Sequence, residues 1–444
     1  MAITTRFKFL QFSDILLDSK LPLSMPATSG HAPLNCGFAL PRAERQERAR
    51  EILETTINAF SLASSENVDA ILMPGGLFDA NTVSGYTINT LIESIATISH
   101  IPIFITPGLE DFYTRSSLYA ADMLQARGLK SWPANVHIFT HEHFESVLVP
   151  GRGDVAISGR AITKGSRRSE RILSGKVPKN NNAAINVAML AATLESHPQV
   201  AHLAGTKAIV YPVSQEEMEA QKMSYFALGH LPEAHKIEDL AGEGRTVGAY
   251  AGCLASGSFD KLGPRVALLG EIGVDSLGNT EIELTPQEID ERRMMLVVVD
   301  VSGLGDGDIK EEIMVHIEDS GVRPDTDIVA LSLEGGCKPG ANPKRVADSL
   351  ASSFYCMLVV DNTRPDYLAE RFDERTTEWK YIQSMLQMKT RAERSGAKDP
   401  ETGNLSDSLS GVPGRDLSGK TVEDALYYGL DALRQKRVTI RNVG

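Results

Sequence analysis

The chain has 444 residues, 42% hydrophobic and 23% charged, with a formal net charge of −13. That length holds two or three domains with real cores, and the acidic balance counts against a general nucleic-acid coat, leaving room only for a local basic patch. No apolar stretch is long enough to span a bilayer, residues 1–10 are too polar for a secretory signal, and Cys36, Cys253, Cys337 and Cys356 are scattered without a Cys-x-x-Cys pair; the expectation is a cytoplasmic protein with reduced thiols and no structural zinc.

The first 290 residues alternate strand-like and helix-like segments, the α/β pattern. Residues 7–12 form a short apolar strand ending at Ser13-Asp14, and residues 18–41 a proline-rich loop. A helix opening at Pro41 carries Ile52, Leu53, Ile57 and Phe60 at helical spacing. "VDAILM" is a buried strand ending at Pro74-Gly75-Gly76; a helix through Ile88, Leu91, Ile92 and Ile95 follows, then the strand "IPIFIT". Each strand hands over to a loop at its C-terminal end, where open α/β sheets place ligands. From 136 to 290 the strands "VHIF", "VAISGRAI", "INVAML", "KAIVYP", "YFALGH", "RVALLGEIG" and "LGNTEIELTP" read as a second sheet.

A β-α-β-α-β block over 291–364 reads as a separate small α/β domain. Residues 365–394 read as one long helix with Leu368, Phe372, Trp379, Ile382 and Leu386 on one face, and 395–420 as a linker rich in Gly, Ser, Asp and Pro. Over 421–444 a short helix, capped by Thr421 with Asp424, presents Val422, Leu426, Leu430 and Leu433; it either docks in a partner's groove or packs on its own domain.

A hydrolytic two-ion site needs several carboxylates and histidines converging at strand C-termini. Four loops have the position: "FSDILLD" with Asp14, "PGGLFD" with Asp79, "PGLED" with Glu110 and Asp111, and "ALGHLPEAH" with His230 and His235. His141 and His143 in "FTHEHFES" would share one side of a strand, without a third ligand beside them. No Gly-x-Ser-x-Gly elbow is present, no cysteine sits in an activating context, and "GGCKPG" around Cys337 reads as a turn. "GLGDGD" over 303–308 reads as a loop outside any strand-to-helix phosphate cradle. The cluster Arg160, Lys164, Arg167, Arg168 and Arg171 is either a solvated loop or a phosphate-contacting surface.

In the order and spacing of these motifs over residues 6–290, the chain resembles the calcineurin-like metallophosphoesterases, specifically the SbcD/YhaO-like DNA repair exonuclease branch. The resemblance implies a phosphoesterase β-sandwich flanked by helices, with the small α/β block as a capping domain and helices at the C-terminus. It also implies a dimer, an SbcC-type ATPase partner and DNA. The family's Asp-x-His falls on Asp14 and Leu16, and its Gly-Asp-x-x-Asp puts Gly76 where the metal-bridging aspartate belongs, with Asp79 kept. Its Gly-Asn-His-Asp puts Leu109 at the asparagine ligand and Glu110 at the proton-donating histidine, with Asp111 kept. Its fourth histidine falls on Ala191, and its Gly-His-x-His on His230 and Pro232. Only Asp14 and His230 remain as ligands by position, so the resemblance implies a scaffold without the ordinary two-ion mechanism. The reading is a non-catalytic subunit of a DNA-processing complex that needs no metal cofactor. The alternatives are a divergent one-ion phosphoesterase or exonuclease, with Mn or Mg on Asp14, Asp79, Glu110, Asp111 and His230, and a binding protein for a phosphorylated ligand.

Overall fold

In the computed structural model the described residues are 3–19, 40, 42–200, 209–259, 261–369, 372–396 and 419–435. Most of the loop expected over 18–41, residues 397–418 of the expected linker, Pro41, and the tail beyond 435 lie outside them. The chain runs β1 (Ile3–Gln11), α1 (Arg42–Ser65), β2 (Ala70–Met73), α2 (Gly85–Thr97), β3 (Ile103–Ile105), α3 (Ala121–Ala126) and β4 (Val136–Ile138). It continues through β5 (Glu145–Val149), β6 (Arg152–Gly159), β7 (Ile185–Ala191), β8 (Thr193–Leu194), β9 (Pro212–Val213), α4 (Gln215–Gln221), β10 (Tyr225–Gly229), β11 (His235–Glu238), β12 (Thr246–Tyr250), β13 (Val266–Asp275) and β14 (Thr280–Glu288). The local signals explain these limits: Ser84 caps α2 by accepting from the Thr87 N–H, and Ser214 and Glu217 form a reciprocal capping box on α4.

Two six-stranded sheets result, ordered β14-β13-β1-β2-β3-β4 and β11-β12-β10-β7-β6-β5. Phe7, Phe9, Leu72 and Phe104 of the first pack in one buried cluster with Val155, Ile157, Val187, Met189, Tyr225 and Ala227 of the second, so the sheets face each other as a sandwich. A second cluster joins the other face of the first sheet to α1 and α2 through Leu53, Phe60, Ile71, Ile88, Leu91 and Ile103. This is the helix-flanked α/β sandwich that the sequence led us to expect, with two corrections. Of "KAIVYP", Ile209–Tyr211 form no strand and Pro212 opens β9, which pairs with β8 in a separate two-stranded sheet. "VHIF", "RVALLGEIG" and "LGNTEIELTP" belong to the first sheet: β4 pairs with β3 (Ile103 opposite Val136) and β13 runs antiparallel to β1 (Phe7 opposite Ile272). Local alternation shows that a segment is a strand; which sheet it joins is decided by partners far away in the chain.

Contacts divide the chain into two compact units, the second holding residues from Leu296 onward apart from Thr326–Ile328. Its elements are β15 (Met294–Asp300), α5 (Asp306–Asp319), β16 (Ile328–Glu334), β17 (Gly336–Cys337), α6 (Pro343–Leu350), β18 (Cys356–Asp361), β19 (Arg364–Pro365), α7 (Thr377–Gly396) and α8 (Gly419–Gln435). A three-stranded sheet, β15-β16-β18, shares one core with α5 and α6 through Val299, Ile309, Ile313, Leu331 and Val346. Cys337 is a buried strand residue rather than part of a turn. "GLGDGD" does link a strand to a helix, contrary to expectation, but the first turn of α5 carries Asp306 and Asp308, and Asp306 pairs with Arg345 at 2.5 Å. Carboxylates there complement the helix dipole and oppose a phosphate.

The helix expected over 365–394 starts only at Thr377. Tyr367–Ala369 is a single 3-10 turn, and the Thr376 hydroxyl accepts from the Trp379 N–H, which caps α7. Thr421 lies inside α8, and Asp424 pairs with Arg364 at 2.5 Å instead of capping. Of the two readings of α8, the structure takes packing on its own unit. Val422, Leu426 and Leu430 are buried, Tyr367 Oη donates to Asp431 Oδ1 at 2.7 Å, and Tyr381 Oη donates to the Ala425 carbonyl at 2.6 Å. No described helix is long and apolar enough to cross a membrane.

Candidate functional site

β1, β2 and β3 are parallel in the first sheet, and β7 and β10 in the second. Their C-terminal loops hold Ser13–Leu16, Pro74–Asp79, Pro107–Asp111, the turn at Ala192 and His230–Pro232. Two devices join the sheets at this end. Gln11, fully buried, donates through Nε2 to the carbonyls of Leu228 (3.2 Å) and Ala249 (2.9 Å) and accepts from Tyr225 Oη at 2.7 Å. Gly229 lies so close to β2 that a Cβ there would fall 1.8 Å from the Pro74 carbonyl oxygen. The backbones themselves touch, and only glycine fits.

Asp14 is 6% exposed. Its Oδ2 accepts from the Ser13 hydroxyl at 2.6 Å and from the His230 backbone N–H at 2.8 Å. Both residues hold left-handed backbones, φ 51° at Asp14 and 94° at His230, the kind of strain that clusters at functional centres. Burial raises the Asp14 pKa to about 7, and burial, helped by the Arg168 charge, lowers that of His230 to about 4. At neutral pH the imidazole is therefore uncharged and the carboxyl only partly ionised.

Asp111, kept from the family pattern, is a strut. It accepts from the N–H groups of Gly108 (2.7 Å), Leu77 (2.8 Å) and Gly76 (3.2 Å) and from Tyr119 Oη (2.6 Å), tying the second and third loops together. Asp79 accepts from the Asn81 N–H at 2.9 Å. Burial raises the Glu110 pKa, opposed by the charges of Lys261 and Arg168 and reinforced by that of Asp79. Leu109 packs against the outer core of the second sheet, which includes Ala191. Pro232 serves through its carbonyl, which accepts from the Cys253 N–H at 3.0 Å and from Arg265 Nη1 at 2.9 Å. Leu16, half-buried, donates its N–H to the Gly76 carbonyl at 2.8 Å.

A bridged pair of divalent ions does not fit these residues. Gly76 has φ 69°, and a Cβ there would meet Asp14 Cα at 2.8 Å and Asp14 Oδ1 at 2.9 Å; a Cβ on Gly75 would meet the Ala191 Cβ at 2.9 Å. A bridging carboxylate at 76 has no room, because Asp14 lies directly against the glycine backbone. No three of Asp14, Asp79, Glu110, Asp111 and His230 bring their ligand atoms within 4.8 Å of one another. Among the described residues, the one group of three or more Asp, Glu, His or Cys side chains with ligand atoms all within 4.8 Å of one another is His141, His143 and Glu145. Those histidines sit in a bend, not on a strand, and Glu145 is the third donor that sequence spacing overlooked.

The basic cluster divides in two. Arg160 is buried, paired with Glu170 at 3.1 Å, its guanidinium 5.9 Å from the Phe144 ring centroid. Arg171 is held between Glu217 (2.8 Å) and Glu195 (2.9 Å). Lys164, Arg167 and Arg168 are exposed. His235 begins β11, its ring 4.7 Å from that of buried His197. His137, on edge strand β4, rests 4.7 Å from the Phe139 ring. Sequence reasoning missed Tyr119, Arg265 and Lys261. "GSFDKLGP" offers no motif, and Lys261 emerges only because its charge acts on Asp14, Glu110 and Cys253 together.

No family model matches the chain, and no curated protein matches it. Among solved structures it is similar to TT1561 of Thermus thermophilus, at 12% identity and a TM-score of 0.33, over 63% of this chain and 99% of that one. It is similar to a dimetal phosphatase from Danio rerio, at 10% identity and a TM-score of 0.34, over 60% and 95%. It is also similar to purple acid phosphatase PPD1 from yellow lupin (Lupinus luteus) seeds, at 12% identity and a TM-score of 0.30, over 64% of this chain and 53% of the lupin enzyme.

Proposed function

We propose that this chain is a phosphoesterase-type scaffold without the two-ion mechanism, acting as a structural or regulatory subunit of a DNA-processing or DNA-repair complex beside an SbcC-type ATPase. The observation that carries the non-catalytic half is the closed contact of Gly76 on Asp14, where a bridging carboxylate would have to stand. Without that carboxylate, and with Leu109, Ala191 and Pro232 offering no side-chain donor, nothing ionises a water or polarises a phosphate oxygen in the family's manner. The order of the sequence motifs supports the DNA-processing half, and the exposed Lys164, Arg167 and Arg168 supply a place for phosphate contact. A one-ion remodelled enzyme would draw on Asp14, Asp79, Glu110, Asp111 and His230, no three of which bring ligand atoms within 4.8 Å of one another.

The test measures hydrolysis of DNA ends and of an activated phosphodiester by the full chain with excess Mn²⁺, and in parallel the ATP turnover of an SbcC-type ATPase with and without the chain. The expected result is no hydrolysis above a metal-only blank, and altered ATP turnover. Mn²⁺-dependent hydrolysis abolished by Asp14→Asn would overturn the non-catalytic reading; an unchanged ATPase would overturn the partnership.

A further inference from the structure

In the segment His141–Glu145, exposed Glu142 accepts a hydrogen bond from Thr163 Oγ1, and Phe144 packs beside the buried Arg160. The ligand atoms of His141, His143 and Glu145 all lie within 4.8 Å of one another. Glu145 Oε1 stands 2.5 Å from His141 Nδ1 and 3.9 Å from His143 Nε2, and the two rings lie 5.0 Å apart between centroids. Both ends of the segment are fixed: the His141 carbonyl accepts from the Ala161 N–H at 2.8 Å, and Glu145 pairs with Gly159 as β5 joins β6.

We infer that His141, His143 and Glu145 form a surface site for one borderline transition-metal dication, with Zn²⁺ as its type. Two donors each about 2.0–2.1 Å from one tetrahedral ion stand about 3.3 Å apart. The observed 2.5 and 3.9 Å straddle that spacing, and all three donors lie within 4.8 Å of one another, close enough for side-chain rotation to gather them on one ion. Two imidazoles and one carboxylate select zinc and its neighbours over Mg²⁺ and Ca²⁺, which want oxygen donors. The imidazoles are 55% and 73% exposed, so water completes the coordination and the metal enters without an opening motion. The triad shares no residue with the strand-end loops around Asp14, and it does not depend on the proposed function.

The experiment is calorimetric titration of the full chain with Zn²⁺ alone, with bound metal counted by mass spectrometry after desalting and a Co²⁺ visible spectrum as a second readout. The expected result is one Zn²⁺ per chain. His143→Ala and Glu145→Gln should each weaken binding at least about tenfold, since loss of even an outer-shell partner costs 10–100-fold. His100→Ala, on another exposed histidine, should change nothing. A chain that binds no zinc, or binds it equally well after both substitutions, overturns the proposal. So does a site lost in Asp14→Asn and kept in Glu145→Gln, which places the ion among the strand-end loops.

Discussion

Gly76 shows how much one side chain decides. With φ 69° and Asp14 within 3 Å of where a Cβ would stand, Gly76→Asp should not rebuild a metal centre. It should destabilise the chain by about 2–4 kcal/mol from left-handed strain and overpacking together, read as a lower urea midpoint with no gain in Mn²⁺ uptake. Asp14 and His230 give a second expectation, in opposite directions. Between pH 3.8 and about 7, folded Asp14 keeps a proton that the unfolded chain has lost, so its contribution falls as pH rises through that window and is flat above it. Between about 4 and 6.5 the unfolded chain holds the extra proton on His230, so that contribution rises with pH. Asp14→Asn removes the falling term. Melting curves from pH 4 to 8 should show the variant gaining on the parent by an amount on the order of 4 kcal/mol, and a constant difference would sink the assignment. The residue types of the strand-end loops were legible at this scale, because they are read directly. The role of Asp111 was not: the sequence shows a carboxylate in a metal motif, and only folding shows three N–H groups and a phenol already occupying it.

The two terminal helices carry the next lesson. Their apolar stripes were plain from spacing, but a stripe does not name what covers it. The structure answers with α7 and α8 packed together through Ile382, Leu426 and Leu430, and Gly429 lies where a Cβ would meet Tyr381 Oη at 2.0 Å. Leu430→Ala should cost about 2–4 kcal/mol locally, seen as lost hydrogen-exchange protection over 422–433; unchanged protection would mean the helix pair is not held by that contact. Strands behaved in the same way. β13 was evident as a strand, yet its place beside β1 depends on a partner more than 250 residues away. The small β-α-β-α-β block was read more completely because its pairings are local in sequence.

For the molecule as a whole, charge sets the limits on nucleic-acid contact. With a net charge of −13, and Arg160 and Arg171 committed to internal pairs, three cations of the basic loop remain for phosphates. Any duplex binding through this loop should therefore weaken with salt at a log–log slope of about −2.7, at roughly 0.9 per phosphate contact. Lys164→Ala with Arg167→Ala should flatten that slope to about −0.9, measured by fluorescence anisotropy; a slope that does not move would place the contact elsewhere on the surface.

The closeness of Gly75, Gly76 and Gly108 also bears on heredity. A Cβ at any of the three falls about 3 Å from a neighbouring loop. A lineage carrying this centre could not gain a bridged ion pair by adding ligands singly, since an aspartate placed at 76 would weaken the fold before any ion arrived to compensate. The loops would have to part first. The arrangement works as a ratchet, in which each glycine lets a neighbouring loop come close and together they keep side chains out of the gap.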